Sequence, residues 1–245
     1  MTNNNGLILM ETNEIVVIAT GIRSSSSNSK TGGMIQIYIL NRNESPLDAI
    51  RSGADATICG DCKHRATLVD GKLIRRCYVQ VGKAPMGIWR CYARGGYAHA
   101  THDQYESIFS DRIVRFGAYG DPAYMASDVV KAIASACSAW TAYTHQWRRP
   151  ESQWLKSYAM ASCDTPQEAM EAREMGWRYF RVAPHGDSRK LQGEIGCPAA
   201  KENGSKSQCE RCKLCSGTFS GDPRKSIVIQ DHSVIAKSKP LFNIL

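Results

Sequence analysis

The chain has 245 residues, a hydrophobic content of 42%, a charged content of 22% and a formal net charge of +8. That length suits one large domain or two small ones with a sizeable core, and the composition is ordinary for a globular chain rather than a fibrous or disordered one. No apolar run has the length of a membrane span, and Met1-Thr2-Asn3-Asn4-Asn5 lacks the charged and apolar regions of a signal peptide, so a cytoplasmic protein is expected. In a reducing compartment, ten cysteines point to metal binding or catalysis rather than to disulfides. The basic balance favours nucleic acid as a partner. Two four-thiolate sites around zinc or an oxidised iron–sulfur cluster would bring the formal charge down to about +4.

Ile15 to Thr20 is short, apolar and β-branched, the pattern of a buried strand. Gly21 to Gly33, with consecutive serines from Ser24 to Ser27, reads as a flexible surface loop; a lid or phosphate cradle is the alternative, without the P-loop pattern. Met34 to Leu40 returns as a second strand, and Pro46 to Ser52 forms a short helix with Ser45 as its N-cap.

Cys59-Gly60-Asp61-Cys62 opens a cysteine-rich insertion spanning 57–97 that continues to Cys77 and Cys91, with a hairpin turning at Asp70-Gly71. This reads as a small zinc knuckle or ribbon, with His64 as a substitute fourth ligand. The alternatives are a lone redox pair, or packing of Cys77 and Cys91. Arg75, Arg76, Arg90 and Arg94 interleave with Tyr78, Trp89, Tyr92 and Tyr97. Such a mixture stacks bases and contacts phosphates, or else places solvated charges over an aromatic minicore.

From Ile113 the pattern alternates strand and helix. Strands are expected at 113–117, 140–143, 157–161, 179–183 and 226–229, and helices at 125–137, 152–156 and from Thr165 to Gly176. In the last helix Thr165 is the cap, Pro166 the first residue, Glu168 the capping-box acid and Gly176 the stop. Repeated βα units imply a parallel sheet, and enough of them a (β/α) barrel-like α/β fold within a single domain, 1–245. Asp121, His145, Asp164, His185 and Asp231-His232 all follow strand ends, where such folds place their active sites. Asp121, His145 and Asp164 are therefore the candidate catalytic residues. Structural roles compete: Asp164 as a helix-capping group and His185-Gly186-Asp187 as a turn. Arg148 and Arg149 add to the candidate nucleic-acid contacts.

A second metal-binding segment, 197–232, holds Cys197 and then Cys209, Cys212 and Cys215 in C-x2-C-x2-C spacing. Thiolates two residues apart on a tight loop can share one soft ion, so Zn2+ is the expected cofactor; Cys197-Pro198 beside this run leaves a [4Fe–4S] cluster as the alternative. The radical-SAM spacing C-x3-C-x2-C is absent.

Lys30-Thr31-Gly32, Cys59-x2-Cys62, Cys77-Tyr78 or Cys91-Tyr92, Gly120-Asp121-Pro122, Tyr143-Thr144-His145, Ala161-Ser162, Cys197-Pro198-Ala199 and Cys209-x2-Cys212-x2-Cys215 occur in this order. As an ordered set, from about residue 30 to His232, they resemble a poorly characterised family of cysteine-rich bacteriophage proteins. More loosely, Cys209, Cys212, Cys215 and His232 are similar to the late zinc site of the tRNA-guanine transglycosylase superfamily. That superfamily is built on (β/α) barrels and includes phage enzymes that exchange guanine in DNA for a 7-deazaguanine. The similarity implies base exchange in DNA, with Asp121 attacking the sugar C1′ and His145 and Asp164 in acid–base or recognition roles. The superfamily's glycine-rich substrate motifs have no counterpart in this chain. The competing expectations are an iron–sulfur protein and a non-catalytic zinc-dependent nucleic-acid-binding module.

Overall fold

The structure is a computed structural model that describes residues 5–24, 30–200, 204 and 207–231. It is a mixed α/β fold. Strand β1 (Gly6–Glu11) pairs antiparallel with β2 (Ile15–Thr20), which pairs antiparallel with β3 (Ile35–Asn41). All seven positions of β3 are buried, so its β-branched run is covered on both faces. Helix α1 (Pro46–Ser52) starts where Ser45 accepts a hydrogen bond from the N–H of Asp48 and stops at Gly53, whose φ is 84°. The insertion then contributes α2 (Ala56–Cys59), a hairpin of β4 (Thr67–Val69) and β5 (Lys72–Ile74), and α3 (Ala84–Ala93). Asp70 and Gly71 both take positive φ at the tip, as a two-residue hairpin turn requires. Strand β6 (Ala98–His99) runs parallel to β1, and α4 (Tyr105–Phe109) follows.

Strand β7 (Ile113–Tyr119) lies parallel to β3 and begins the alternating half of the chain. Helix α5 (Ser127–Ala136) buries Val129, Val130, Ile133 and Ala134 on one stripe. Each of its larger aliphatic side chains contributes about 1.5–3 kcal/mol on burial. Strand β8 (Ala139–Thr141) pairs with β7, and β9 (Tyr143–Thr144) pairs instead with β10 (Met160–Cys163). The expected single strand at 140–143 is thus two, interrupted at Ala142. The N–H of Ala142 leaves the ladder and donates to the carbonyl of Cys215 at 2.9 Å. A 3-10 segment (Pro150–Ser157) and α6 (Pro166–Glu174) flank β10. Strands β11 (Tyr179–Ala183) and β12 (Glu194–Gly196) follow, then the single turn α7 (Cys209–Cys212) and β13 (Ser226–Gln230).

The strands form a six-stranded sheet in the order β6-β1-β2-β3-β7-β8, a five-stranded sheet in the order β12-β13-β11-β10-β9, and the hairpin. Every pairing from β3 through β7 and β8, and throughout the second sheet, is parallel. One apolar cluster runs across both sheets, from Ile8 and Val17 to Ala161 and Tyr179, and a smaller one surrounds Met160, Cys197, Cys215, Ile227 and Ile229. Among the described residues no helix is long and apolar enough to cross a membrane.

Two buried ionic clusters fasten the second sheet. Arg181 on β11 makes a two-pronged pair with Glu194 on β12, both bonds 2.7 Å, with the side chains 3% and 0% exposed. Asp222, 2% exposed in its side chain, holds Arg224 at 2.6 Å and lies 3.9 Å from Arg178. Arg178 in turn donates to the carbonyls of Leu214, Ser216 and Lys225. Hydrogen bonding from Arg224 lowers the pKa of Asp222 to about 2. Its ionised form therefore stabilises the fold fully above the ordinary carboxylate range, and that contribution is lost as pH falls towards 2. Urea unfolding across pH 2 to 7 is expected to show Asp222→Asn well below wild type at neutral pH, with the difference shrinking towards zero near pH 2. A constant difference would show that Asp222 does not supply the acid sensitivity.

Candidate active and metal centre

The five strand-end positions read from the sequence lie after the carboxyl ends of their strands. Asp121 follows β7, His145 follows β9, Asp164 follows β10, His185 follows β11 and Asp231 follows β13. His232 lies outside the described residues. Pro184 to Asp187 is a turn closed by Asp187 N–H on the carbonyl of Pro184, with exposed His185 near the Asp231 carbonyl.

Asp121 is the innermost of these groups, 6% exposed. One carboxylate oxygen accepts from the N–H of Ala123 at 3.0 Å and the other from the N–H of His145 at 2.8 Å, with the Thr144 hydroxyl as a further donor. Burial pushes its pKa up to about 6, against these hydrogen bonds, which favour the charged form. Gly120 allows this placement: its φ is 79°, and a Cβ there would lie 2.7 Å from the carbonyl oxygen of Ile39.

The cysteine-rich insertion docks directly onto these loops. The N–H of Asp121 donates to the Ile58 carbonyl at 2.7 Å, and Gln146 donates to the Cys59 carbonyl at 3.1 Å. At Gly60, with φ of 56°, an added Cβ would fall 2.0 Å from the Tyr124 hydroxyl, so only glycine permits this close approach. Arg65 locks the turn, binding Asp55 through two nitrogens and the Gly60 carbonyl through a third bond at 2.7 Å.

Docking delivers His64 to the strand ends. Its Nε2 lies 2.9 Å from Oδ2 of Asp164, and its ring meets that of His145 edge-on with centroids 5.3 Å apart. Among the described residues, ligand atoms of His64, His145 and Asp164 all lie within 4.8 Å of one another. Lys63 reaches both Asp164 and Glu168 at 2.9 Å, and Glu168 also accepts from the N–H of Asp164. Glu168 therefore closes its capping contact one residue earlier than the sequence implies, while Thr165 caps α6 as expected. Burial pushes the His145 pKa down to about 4, and the neighbouring His64 charge acts in the same direction, so the ring is neutral at pH 7. For Asp164, burial acts upward, but hydrogen bonds and charge from His64 and Lys63 outweigh it and hold the carboxyl below its ordinary range.

The cysteines fall into two electrostatic groups. Burial pushes Cys59 well up and Cys62 up to about 11, with the charges of Cys77 and Asp121 adding to both. This group therefore belongs to the strand-end centre. Cys91 lies on α3 and its thiol bonds Tyr97. In the second group burial pushes Cys215 up to about 12, and the charges of Cys197, Cys209 and Cys212 add to it. Burial likewise raises Cys197 and Cys209. Cys197 and Cys215 are buried and Cys209 and Cys212 half-buried. Four thiols are a donor type that suits a soft cation or cluster, but among the described residues the candidate ligand atoms that come within 4.8 Å of one another are those of His64, His145 and Asp164. The loop carrying them is anchored by Cys209 N–H on the Lys30 carbonyl and by Glu210 accepting from the N–H of Gly33.

The candidate nucleic-acid arginines divide as well. Arg76, Arg90 and Arg94 are exposed. Arg75 folds back on the carbonyls of Cys77 and Val79, Arg148 pairs with Glu171 while stacking on Trp147, and Arg149 pairs with Glu151. The partnership of His64 with Asp164 has no short-range signature in the sequence, because the two residues are 100 positions apart. The useful hint is a histidine two residues beyond the Cys59–Cys62 pair.

No family model, characterised protein or solved structure matches this chain.

Asp121→Ala would strand two N–H groups inside the protein, each costing about 1–3 kcal/mol. Urea unfolding of the variant is expected to show a loss of about 2–6 kcal/mol. A loss below about 0.5 kcal/mol would remove Asp121 as the tie between these loops.

Proposed function

We propose that the protein is a metal-dependent enzyme acting on nucleic acid or nucleotides, with His64, His145 and Asp164 as the ligands of a catalytic divalent ion. The observation that carries this reading is their convergence from three separate segments within 4.8 Å at the strand ends. The 2.9 Å between His64 Nε2 and Asp164 Oδ2 matches the separation of neighbouring ligands around one ion. Three protein ligands leave positions for water and substrate, whereas four thiols close a structural site. When bound, such an ion activates water or polarises a substrate oxygen.

The chain's own residues supply the rest. Asp121 fixes the backbone at His145. Lys63 has Glu168 as a second carboxylate at 2.9 Å, to which it can turn when Asp164 binds an ion. The net charge of +8 and the exposed Arg76, Arg90 and Arg94 favour a polyanionic substrate. The parallel order β3-β7-β8, continued after one residue by β9-β10-β11-β13, supports a barrel-like arrangement with its working end at the strand carboxyl ends. Cys197, Cys209, Cys212 and Cys215 serve as a structural zinc site, with a [4Fe–4S] cluster as the alternative that brown colour in anaerobically prepared protein would identify.

Base exchange in DNA with a 7-deazaguanine is the second reading. It is favoured by a buried carboxylate, Asp121, held at the end of β7 beside His145. As a nucleophile, Asp121 would have to release one of its backbone donors.

Metal analysis and calorimetric titration with Zn2+ or Mn2+ test the first reading. Wild type is expected to bind one more divalent ion than His145→Ala or His64→Ala, with the cysteine-bound metal retained in all three. Equal stoichiometry would sink the His64 centre. Nucleoside analysis of DNA from cells with and without the gene tests base exchange, which an absence of modified guanine would exclude.

A further inference from the structure

A second polar site lies on β7, within electrostatic reach of Cys209. Arg115 on β7 sits beside Gln36 of β3 in the strand register. Its Nε is buried and has no hydrogen-bond partner, while Nη2 donates to the hydroxyl of Tyr78 at 3.0 Å. The ion pairs of the described residues give Arg115 no carboxylate; the groups acting on its charge are Tyr78, Tyr143, Cys209 and Tyr38. A buried guanidinium N–H without an acceptor is costly, and a neighbouring charge does not replace the missing hydrogen bond.

Arg115 faces a cavity of about 200 Å³ lined also by Gln36, Tyr38, Tyr78, Gln80 and Lys83. The cavity brings together two cations, two carboxamides and two phenols, with no acidic residue in its wall. The ten-residue helix α3 begins at the same wall, with Lys83 as its cap and Ala84 and Pro85 lining the cavity. Its first turn holds no acidic residue and its cap makes no side-chain hydrogen bond. Pro85 has no N–H and the N–H of Met86 donates to the Val81 carbonyl at 3.0 Å, so at the cavity wall the helix start offers the N–H of Ala84.

We infer that this cavity is a phosphate-binding subsite, in which Arg115, Lys83 and the start of α3 hold a phosphate group of a nucleotide or of a nucleic-acid strand. The planar guanidinium fork of Arg115 suits phosphate oxygens. Tyr38 and Tyr78 offer hydroxyl donors and aromatic faces to the attached sugar or base. The inference does not depend on the His64 centre, since its readout is binding rather than turnover.

The test is calorimetric titration of the full-length, metal-loaded protein with guanosine monophosphate, guanosine, inorganic phosphate and a short oligodeoxynucleotide. Guanosine monophosphate is expected to bind, guanosine to bind roughly tenfold or more weakly, and inorganic phosphate to compete. Arg115→Met and Lys83→Ala are each expected to weaken guanosine monophosphate roughly tenfold or more. Lys83 is exposed, so its variant retains the fold if the partly buried Arg115 variant does not. An oligonucleotide that binds more tightly than the nucleotide, with the same Lys83 dependence, identifies a strand as the source; a preference for the nucleotide identifies the free ligand. Equal binding of guanosine and its monophosphate would overturn the inference. So would unchanged affinity in Lys83→Ala, or an Arg115→Met protein that loses metal yet keeps its nucleotide affinity.

Discussion

Buried Asp121 joins three stretches of chain that are otherwise distant. Its carboxylate accepts from the backbone after β7 and after β9, and its backbone N–H donates to the Ile58 carbonyl in α2. A carboxylate with so little exposure is tolerable only when fixed donors meet it. Those donors also define the geometry around it. Each hydrogen bond removes freedom from a loop that carries a candidate functional group, so His145 and the Cys59–Cys62 turn take their places from Asp121. Gly60 and Gly120 are subordinate to the same constraint, since a side chain at either would keep the insertion or the loop from seating.

The cysteines divide between two tasks. Cys59 and Cys62 sit within the electrostatic reach of Asp121, which makes this part of the insertion a wall of the strand ends. Cys197 and Cys215 belong to the small apolar cluster beside the second sheet, with Cys209 packed against it. Tyr143 connects the two regions: its hydroxyl bonds Cys215, and its strand leads directly into His145.

Much of the second half was legible from residue pattern alone. Tyr179–Ala183 alternates as a strand should, and Thr165, Pro166 and Gly176 mark the limits of α6 by chemistry that acts within one turn. Strand-end placement of Asp121, His145 and Asp164 followed from those same local signals. What escaped was long-range or split. The strand at 140–143 divides because Ala142 bonds a residue 73 positions later, at Cys215, and no window around Ala142 contains that information. Strand β1 lacks the uniform apolar run of β2, and its register shifts between Ile8 and Met10. His64 was visible as a possible metal ligand, but its partner Asp164 was assigned to a different element, and only docking of the insertion brings them together.

The interruption at Ala142 also sets an order of assembly. Strand β8 completes the first sheet with residues already present in the emerging chain, whereas the Ala142 N–H must await Cys215. His64 similarly waits for Asp164. Closing contacts across such separations is slow, because chain entropy is lost before the contact forms. The strands of the first sheet all lie within residues 6–141, whereas the His64–Asp164 contact and the Ala142–Cys215 bond need the later chain.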